Sequence, residues 1–238
     1  MRPLTLITVL LGLICFSSCA PSWQYITLDS REVTKDTSKR FTWENDTLSL
    51  MYNYNGYGGP VWLSITNKTD KPMYVNWKKS AIINLGYSRS LYQSNVKMAG
   101  SFDAVRVYGE TAGRLAGSFS VPEGMDFIPP HSNISKTLDL TIFRTAVNKD
   151  QLKGDPQTLR GAKTVPPTIY QMYTYDQLSS PVQFKSYLTF VFDTDNAKEF
   201  AVSHAFYGRE IMMTKKSPWA FSVYKDEGDI LYITQNKK

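Results

Sequence analysis

Apolar and polar residues alternate with a period of two over most of the chain, the spacing of strands with one buried face. Leu48, Leu50, Tyr52 and Tyr54 fall on one side of such a run, and Val61, Leu63 and Ile65 on one side of the next. Between them, Asn55-Gly56-Tyr57-Gly58-Gly59-Pro60 is a turn by composition, because glycine reaches positive φ without steric penalty and proline cannot donate to a ladder. Thr69-Asp70-Lys71-Pro72 turns the chain again, before Met73, Val75 and Trp77 alternate with Ala81-Ile82-Ile83 behind them. Further on, Ile128-Pro129-Pro130-His131-Ser132 precedes Ile134, Leu138, Leu140 and Ile142. Phe184, Ser186, Leu188, Phe190 and Phe192 share a face, closed by Asp193-Thr194-Asp195-Asn196. Phe200, Val202, His204 and Phe206 follow, extended by Ile211-Met212-Met213. Trp219, Phe221 and Val223 then lead through an Asp226-Glu227-Gly228-Asp229 hairpin turn to Ile230–Thr234. No helical stripe of useful length interrupts this, so the predicted fold is all-β: a single antiparallel β-sandwich, Ig-like in style, with long irregular loops.

Two stretches break the alternation. Gly86–Gly117 is rich in Ser and Gly, and Lys149–Pro167 is polar and punctuated by Pro156, Pro166 and Pro167. Both are expected to be long loops, the places where a rigid scaffold carries a binding surface.

The N-terminus follows another pattern. Arg2 precedes an apolar run, Leu4 to Phe16, interrupted only by Thr5 and Thr8. A stable spanning helix needs about 20 apolar residues, so this run reads as the core of a secretory signal. Phe16-Ser17-Ser18-Cys19 then has the form of a bacterial lipoprotein box: a large apolar residue, two small ones, and a cysteine that takes diacylglycerol before cleavage ahead of it. Cys15 is the rival acceptor, disfavoured by bulky Ile14 before it. The predicted division is a signal peptide over 1–18, a lipidated tether with one short strand, Gln24–Leu28, over 19–40, and one sandwich domain over 41–238.

Composition agrees with an exported domain. Of 238 residues, 42% are hydrophobic, 20% charged and 13% aromatic, which excludes a collagen, a coiled coil and wholesale disorder. The two cysteines are Cys15 and Cys19, so a chain of 238 residues less the 18 of the signal keeps only the acylated one, with no disulfide and no cysteine metal site. Thioether-linked and amide-linked chains together meet the two-signal condition for firm attachment. Ala20 after the cysteine is not the aspartate that holds many lipoproteins at an inner membrane, which favours the outer membrane. The net charge of +6 is scattered rather than gathered into a stripe with interleaved aromatics, so nucleic acid is not the expected partner.

Several blocks carry a resemblance. Cys19-Ala20-Pro21-Ser22-Trp23-Gln24-Tyr25, Trp43-Glu44-Asn45-Asp46, Asn67-Lys68-Thr69-Asp70-Lys71-Pro72, Ile128-Pro129-Pro130-His131-Ser132 and Phe184-Lys185-Ser186-Tyr187-Leu188-Thr189 occur in this order. Together they resemble a family of uncharacterised Bacteroidetes cell-envelope lipoproteins, β-rich and surface-anchored. The resemblance implies a lipid anchor and lends no catalytic residues. Asp46-Thr47-Leu48 is also similar to the short O-glycan acceptor of that bacterial group.

Candidate chemistry is sparse. Gly86-Tyr87-Ser88-Arg89-Ser90 lacks the last glycine of a nucleophile elbow, and Ser94-Asn95-Val96-Lys97 lacks the partner motifs of a Ser-x-x-Lys enzyme. Asp193-Thr194-Asp195-Asn196 starts like a calcium loop, but Ala197 stands where an oxygen ligand is needed. Gly109, Gly113 and Gly117 are spaced by four beside Glu110 and Arg114, which excludes a membrane helix. His131 reads as a solvated turn residue and His204 as a strand histidine with its hydrogen bonding met. Asp226, Glu227 and Asp229 read as a hairpin tip rather than an acid pair. No cofactor or metal is expected, and the chain is read as a non-catalytic binding or structural module. The candidate ligand contacts are Tyr52, Tyr54, Tyr57 and Trp62 beside the Gly-rich turn, since aromatic faces stack on sugars; the competing reading is that alternate members are core. Membrane through the lipid, and an envelope protein or glycan, are the expected partners. A hydrolase built on loops 86–117 and 149–167 is the remaining alternative.

Overall fold

A computed structural model describes residues 22–92, 124–154, 156–160, 169–192, 198–220 and 227–235. The signal, Cys19, Ser94–Lys97, the glycines 109, 113 and 117, and Asp193–Asn196 lie outside the described residues, as do Phe221, Val223 and Asp226.

Fifteen strands among the described residues form two sheets. The smaller has the order β10-β6-β4-β3-β2, from β2 (Thr34–Lys35), β3 (Phe41–Glu44), β4 (Leu48–Asn53), β6 (Pro60–Asn67) and β10 (Asn133–Thr141). The larger runs β5-β15-β1-β14-β13-β7-β8, from β1 (Ser22–Asp29), β5 (Gly56–Tyr57), β7 (Met73–Asn84), β8 (Tyr87–Ser90), β13 (Gln183–Phe192), β14 (Glu199–Thr214) and β15 (Ile230–Gln235). It also takes in β9 (Met125–Ile128) on β7, and β11 (Gln157–Arg160) with β12 (Ile169–Thr174) on β14. The chain is therefore an all-β sandwich. The pairing is antiparallel except between β15 and β5, which run parallel. Ten strands in one sheet exceed the seven to nine of an entire immunoglobulin sandwich.

The alternation places the core. Leu48, Leu50 and Tyr52 of β4 and Val61, Leu63 and Ile65 of β6 are buried, as are Phe184, Leu188 and Phe190 of β13. Rings bridge the sheets: Phe206 of β14 lies 5.1 Å from Phe41 and from Tyr54 and 5.4 Å from Tyr52, and Phe184 lies 5.3 Å from Tyr54. These edge-to-face contacts suit ring quadrupoles. The two sequence runs Met73–Trp77 and Ala81–Ile83 are one strand with an irregularity, because Ser80 Oγ takes the Thr189 amide at 3.0 Å and donates to the Asn76 carbonyl at 2.6 Å where the register against β13 shifts.

The strand expected over Gln24–Leu28 is present as β1, longer at both ends, and it lies inside a sheet rather than on a tether. From Ser22 the chain is already in the middle of the larger sheet, with β14 on one side of β1 and β15 on the other. Trp23, Gln24, Tyr25, Ile26 and Leu28 are buried, and the Gln24 side chain is bonded through both ends to Val147, 2.8 Å from its amide and 3.2 Å from its carbonyl. The polar Ser/Thr/Lys/Asp composition after Leu28 hides this, because the strand has an apolar outer face as well as an inner one. Trp219 departs in the opposite direction: it stands on a single 3₁₀ turn, Pro218–Ala220, and is 73% exposed. Two short strands, β8 and β11, also occupy parts of the expected long loops.

The turn over 56–59 needs its glycines. Gly58 has φ +69°, and a Cβ there would sit 2.5 Å from the Phe143 carbonyl oxygen.

Tyr52 and Tyr54 give a paired stability test. The Tyr52 hydroxyl shares a 3.0 Å hydrogen bond with His204 Nδ1, whereas the Tyr54 hydroxyl is buried without a partner among the described residues. Tyr52→Phe is expected to destabilise by about 1–3 kcal/mol, and Tyr54→Phe to be neutral or stabilising by up to about 1 kcal/mol, by denaturant unfolding.

Candidate functional site

The four aromatic residues beside the Gly-rich turn do not form one surface. Tyr52 and Tyr54 are completely buried between the sheets, so they cannot touch a ligand, and the sequence reading of them as contacts is corrected. The reason is the alternation itself: Tyr52 shares the inner face of β4 with Leu48 and Leu50, and Tyr54 follows it beyond the strand end. Trp62 is half-buried on β6, where inward Val61 and Leu63 flank it and direct it to the outer face. Tyr57 is 48% exposed but belongs to the other sheet, at the β15 edge. The structure brings none of the other three to Tyr57 as a stacking platform.

His204 is a core residue. It is 3% exposed, bonded to Tyr52 and covered by the Trp43 ring at 5.0 Å. Burial pushes its pKa below the ordinary histidine value, partly offset by the charge of Glu32. Burial also pushes the Tyr52 hydroxyl well above its ordinary range, against a hydrogen bond from Ser186. Both shifts favour the neutral form of the buried group. His131 sits at φ +50° with Nε2 2.7 Å from Asp70 Oδ1, both exposed, in the turn where the sequence places it.

A cleft of about 260 Å³ lies on the outer face of the larger sheet. Tyr25 and Thr27 of β1, Met212 of β14, Met172 of β12 and Ile230 of β15 supply its inner lining. They lie here because β1 is apolar on both faces: its odd-numbered residues meet a second buried cluster, separate from the inter-sheet core, that includes Trp23, Tyr25, Met212 and Ile230. Charged groups close one end. Lys35 Nζ donates to Asp229 Oδ2 at 2.6 Å and to the Leu28 carbonyl at 2.7 Å, and lies 3.6 Å from Asp29 Oδ1. Arg209 reaches Asp29 at 3.7 Å and Glu210 at 3.2 Å.

Asp229 lies in a turn, as the sequence suggests, but is only 3% exposed there; its backbone carbonyl accepts from the Leu28 amide and its carboxylate is held by Lys35. Its other oxygen, Oδ1, has no hydrogen-bond partner among the described residues. The sequence held no signal for this network, which joins Lys35 to a residue 194 positions later.

Chemically the cleft is an ion-pair cage over an apolar floor. Among the described residues no serine, cysteine or histidine lines it, and two of its cations, Lys35 and Arg209, are paired to carboxylates. Among the described residues no group of three His, Cys, Asp or Glu side chains is placed to hold a metal ion. No helix there is long and apolar enough to cross a membrane.

Set against protein-family models, curated proteins and solved structures, the chain matches none of them.

Two measurements test this account. Lys35→Met leaves the Asp229 carboxylate buried beside no cation and is expected to cost about 3 kcal/mol, whereas Lys35→Met with Asp229→Asn costs less, both by urea unfolding. For His204 the unfolded state binds the proton more readily than the folded state, so stability is fully present above about pH 6.5 and falls as pH drops below it. Replacing His204 with Gln is expected to flatten this part of the stability–pH curve.

Proposed function

We propose that this protein is a lipid-anchored module of the bacterial cell envelope, attached through Cys19, that serves a binding or structural role without catalysis. The observation that carries the reading is the Phe16-Ser17-Ser18-Cys19 box directly behind an apolar run too short to span a bilayer. The outer membrane is the compartment this reading favours, since Ala20 is not a retention aspartate.

The folded body supports a non-catalytic role in two ways. In the cleft Lys35 and Arg209 are paired to carboxylates, and the inter-sheet histidine is enclosed by Tyr52 and Trp43. The surfaces left for contact are therefore exposed strand faces and turns, which suits association with an envelope component. Tyr52 and Tyr54 take no part in such a contact. An envelope protein is accordingly a better-supported partner than a sugar stacked on that aromatic set.

The anchor is tested by growing cells with a labelled fatty acid. Wild-type protein is expected to carry the label and fractionate with membranes, and Cys19→Ala to lose both properties; label retained by the alanine variant refutes the assignment.

A further inference from the structure

Tyr87 of β8, Phe127 of β9 and Tyr187 of β13 are exposed elsewhere on the larger sheet, whereas exposed Trp219 and Tyr57 are joined through buried Trp23 and half-buried Tyr232. The Trp219 ring, 73% exposed, meets Trp23 edge-on at 6.0 Å; Trp23 meets Tyr232 at 6.1 Å; and Tyr232 meets Tyr57, 48% exposed, at 6.3 Å. Four rings, with Trp23 beneath the surface, thus form a ridge from the 218–220 turn across β1 and β15 to β5. Trp219 is held out by its neighbours: Pro218 is buried, and the Ala220 amide bonds back to the Ser217 carbonyl at 3.0 Å, closing the turn that presents the indole. Tyr57 is fixed by a 3.0 Å bond from its hydroxyl to Thr234.

The ridge stands at one particular end of the sheet. Ser22 pairs with Gln235, and Trp23 pairs with Thr214 and with Thr234, so the aromatic end is the end at which the chain joins the domain. Exposed Lys215 and half-buried Lys216 follow Thr214 there. Only three Cα–Cα steps separate Cys19 from Ser22. At about 3.8 Å per step, the acylated residue lies no more than about 11 Å from the start of β1.

We infer that this aromatic ridge is a membrane-facing surface, seated in the headgroup region of the bilayer that receives the Cys19 acyl chains. The inference rests on the lipid-anchor reading and goes beyond it by fixing which end of the sandwich meets the lipid. Tryptophan and tyrosine favour this interface because each has an apolar ring for the acyl boundary and a polar group for the headgroups. Lysines beside them suit lipid phosphates. An anchor with so short a reach holds the ridge at the surface whether or not the rest of the body touches it. The ring of Trp62, on the outer face of the smaller sheet, is the internal contrast: half-buried, and without an exposed partner in the ridge.

The test uses acylated protein isolated from membranes and reconstituted in phosphatidylethanolamine–phosphatidylglycerol vesicles, with or without lipid brominated near the carbonyl end of its chains. Bromolipid is expected to quench tryptophan emission in the wild type. Trp219→Phe loses most of that quenching and Trp62→Phe keeps it. On the unsubstituted protein, vesicle attachment is expected to shield emission from aqueous acrylamide relative to the same protein in detergent, a readout that needs no variant. Protein that floats with the vesicles, yet shows equal bromolipid quenching in the wild type and Trp219→Phe or full acrylamide access, overturns the inference alone. That outcome includes a ridge that faces water to take a protein or glycan. Protein with no acyl mass on Cys19 that fails to float overturns the anchor reading and this inference together.

Discussion

Both edges of the first strand are taken. The backbone of Ser22–Asp29 bonds to β14 on one side and β15 on the other, which makes the earliest segment of the domain an interior member of its larger sheet. Three features depend on that placement. Its inner face supplies Ile26 and Leu28 to the inter-sheet core, and its Gln24 clamps the segment at Val147. Its outer face floors the cleft with Tyr25 and Thr27. Its C-terminal end delivers Asp29 and the Leu28 carbonyl to the ion-pair network. A contact between residues near 25 and residues near 212 and 232 closes almost the whole chain into one loop. Closure over such sequence distances is slow to form, so the sheet's centre is assembled from the most distant parts of the polypeptide.

Much of the architecture was legible because a one-residue slip in a half-buried strand turns every side chain to the wrong face. Leu48-Leu50-Tyr52 and Val61-Leu63-Ile65 therefore announce both a strand and its buried side. The same logic decides the aromatic residues: Tyr52 keeps step with Leu48 and Leu50, and Trp62 lies out of step with Val61 and Leu63. Misreadings fall where the period fails. Trp23 to Leu28 is almost continuously buried, and although a strand was legible there, a run buried on both faces does not announce its place inside the larger sheet. At Trp219 the spacing to Phe221 and Val223 imitates a strand, while Pro218 starts a 3₁₀ turn.

The cleft was illegible for a different reason. Its charged end is made from Asp29, Lys35, Arg209 and Asp229, ordinary surface residues by composition, and only the strand order sets them side by side. In the sequence Asp229 reads as part of an acidic hairpin tip. Its burial follows from the Leu28 amide bond that draws the turn over β1. Lys35 then neutralises a carboxylate that would be costly to bury alone.

The margins of the two sheets bear on crowding. The strand orders end in β5 and β2, of two residues each, in β8, of four, and in β10, of nine, which carries Lys136. Open backbone along a sheet's rim is a template onto which a neighbouring copy can add its own strand. A protein confined to a two-dimensional layer meets copies of itself far more often than one diffusing in bulk. β9 and β11, which end the branches of the larger sheet, are also of four residues each, so among the described residues the one long rim is β10, and it carries charge; dense coverage of a surface is compatible with copies that stay separate.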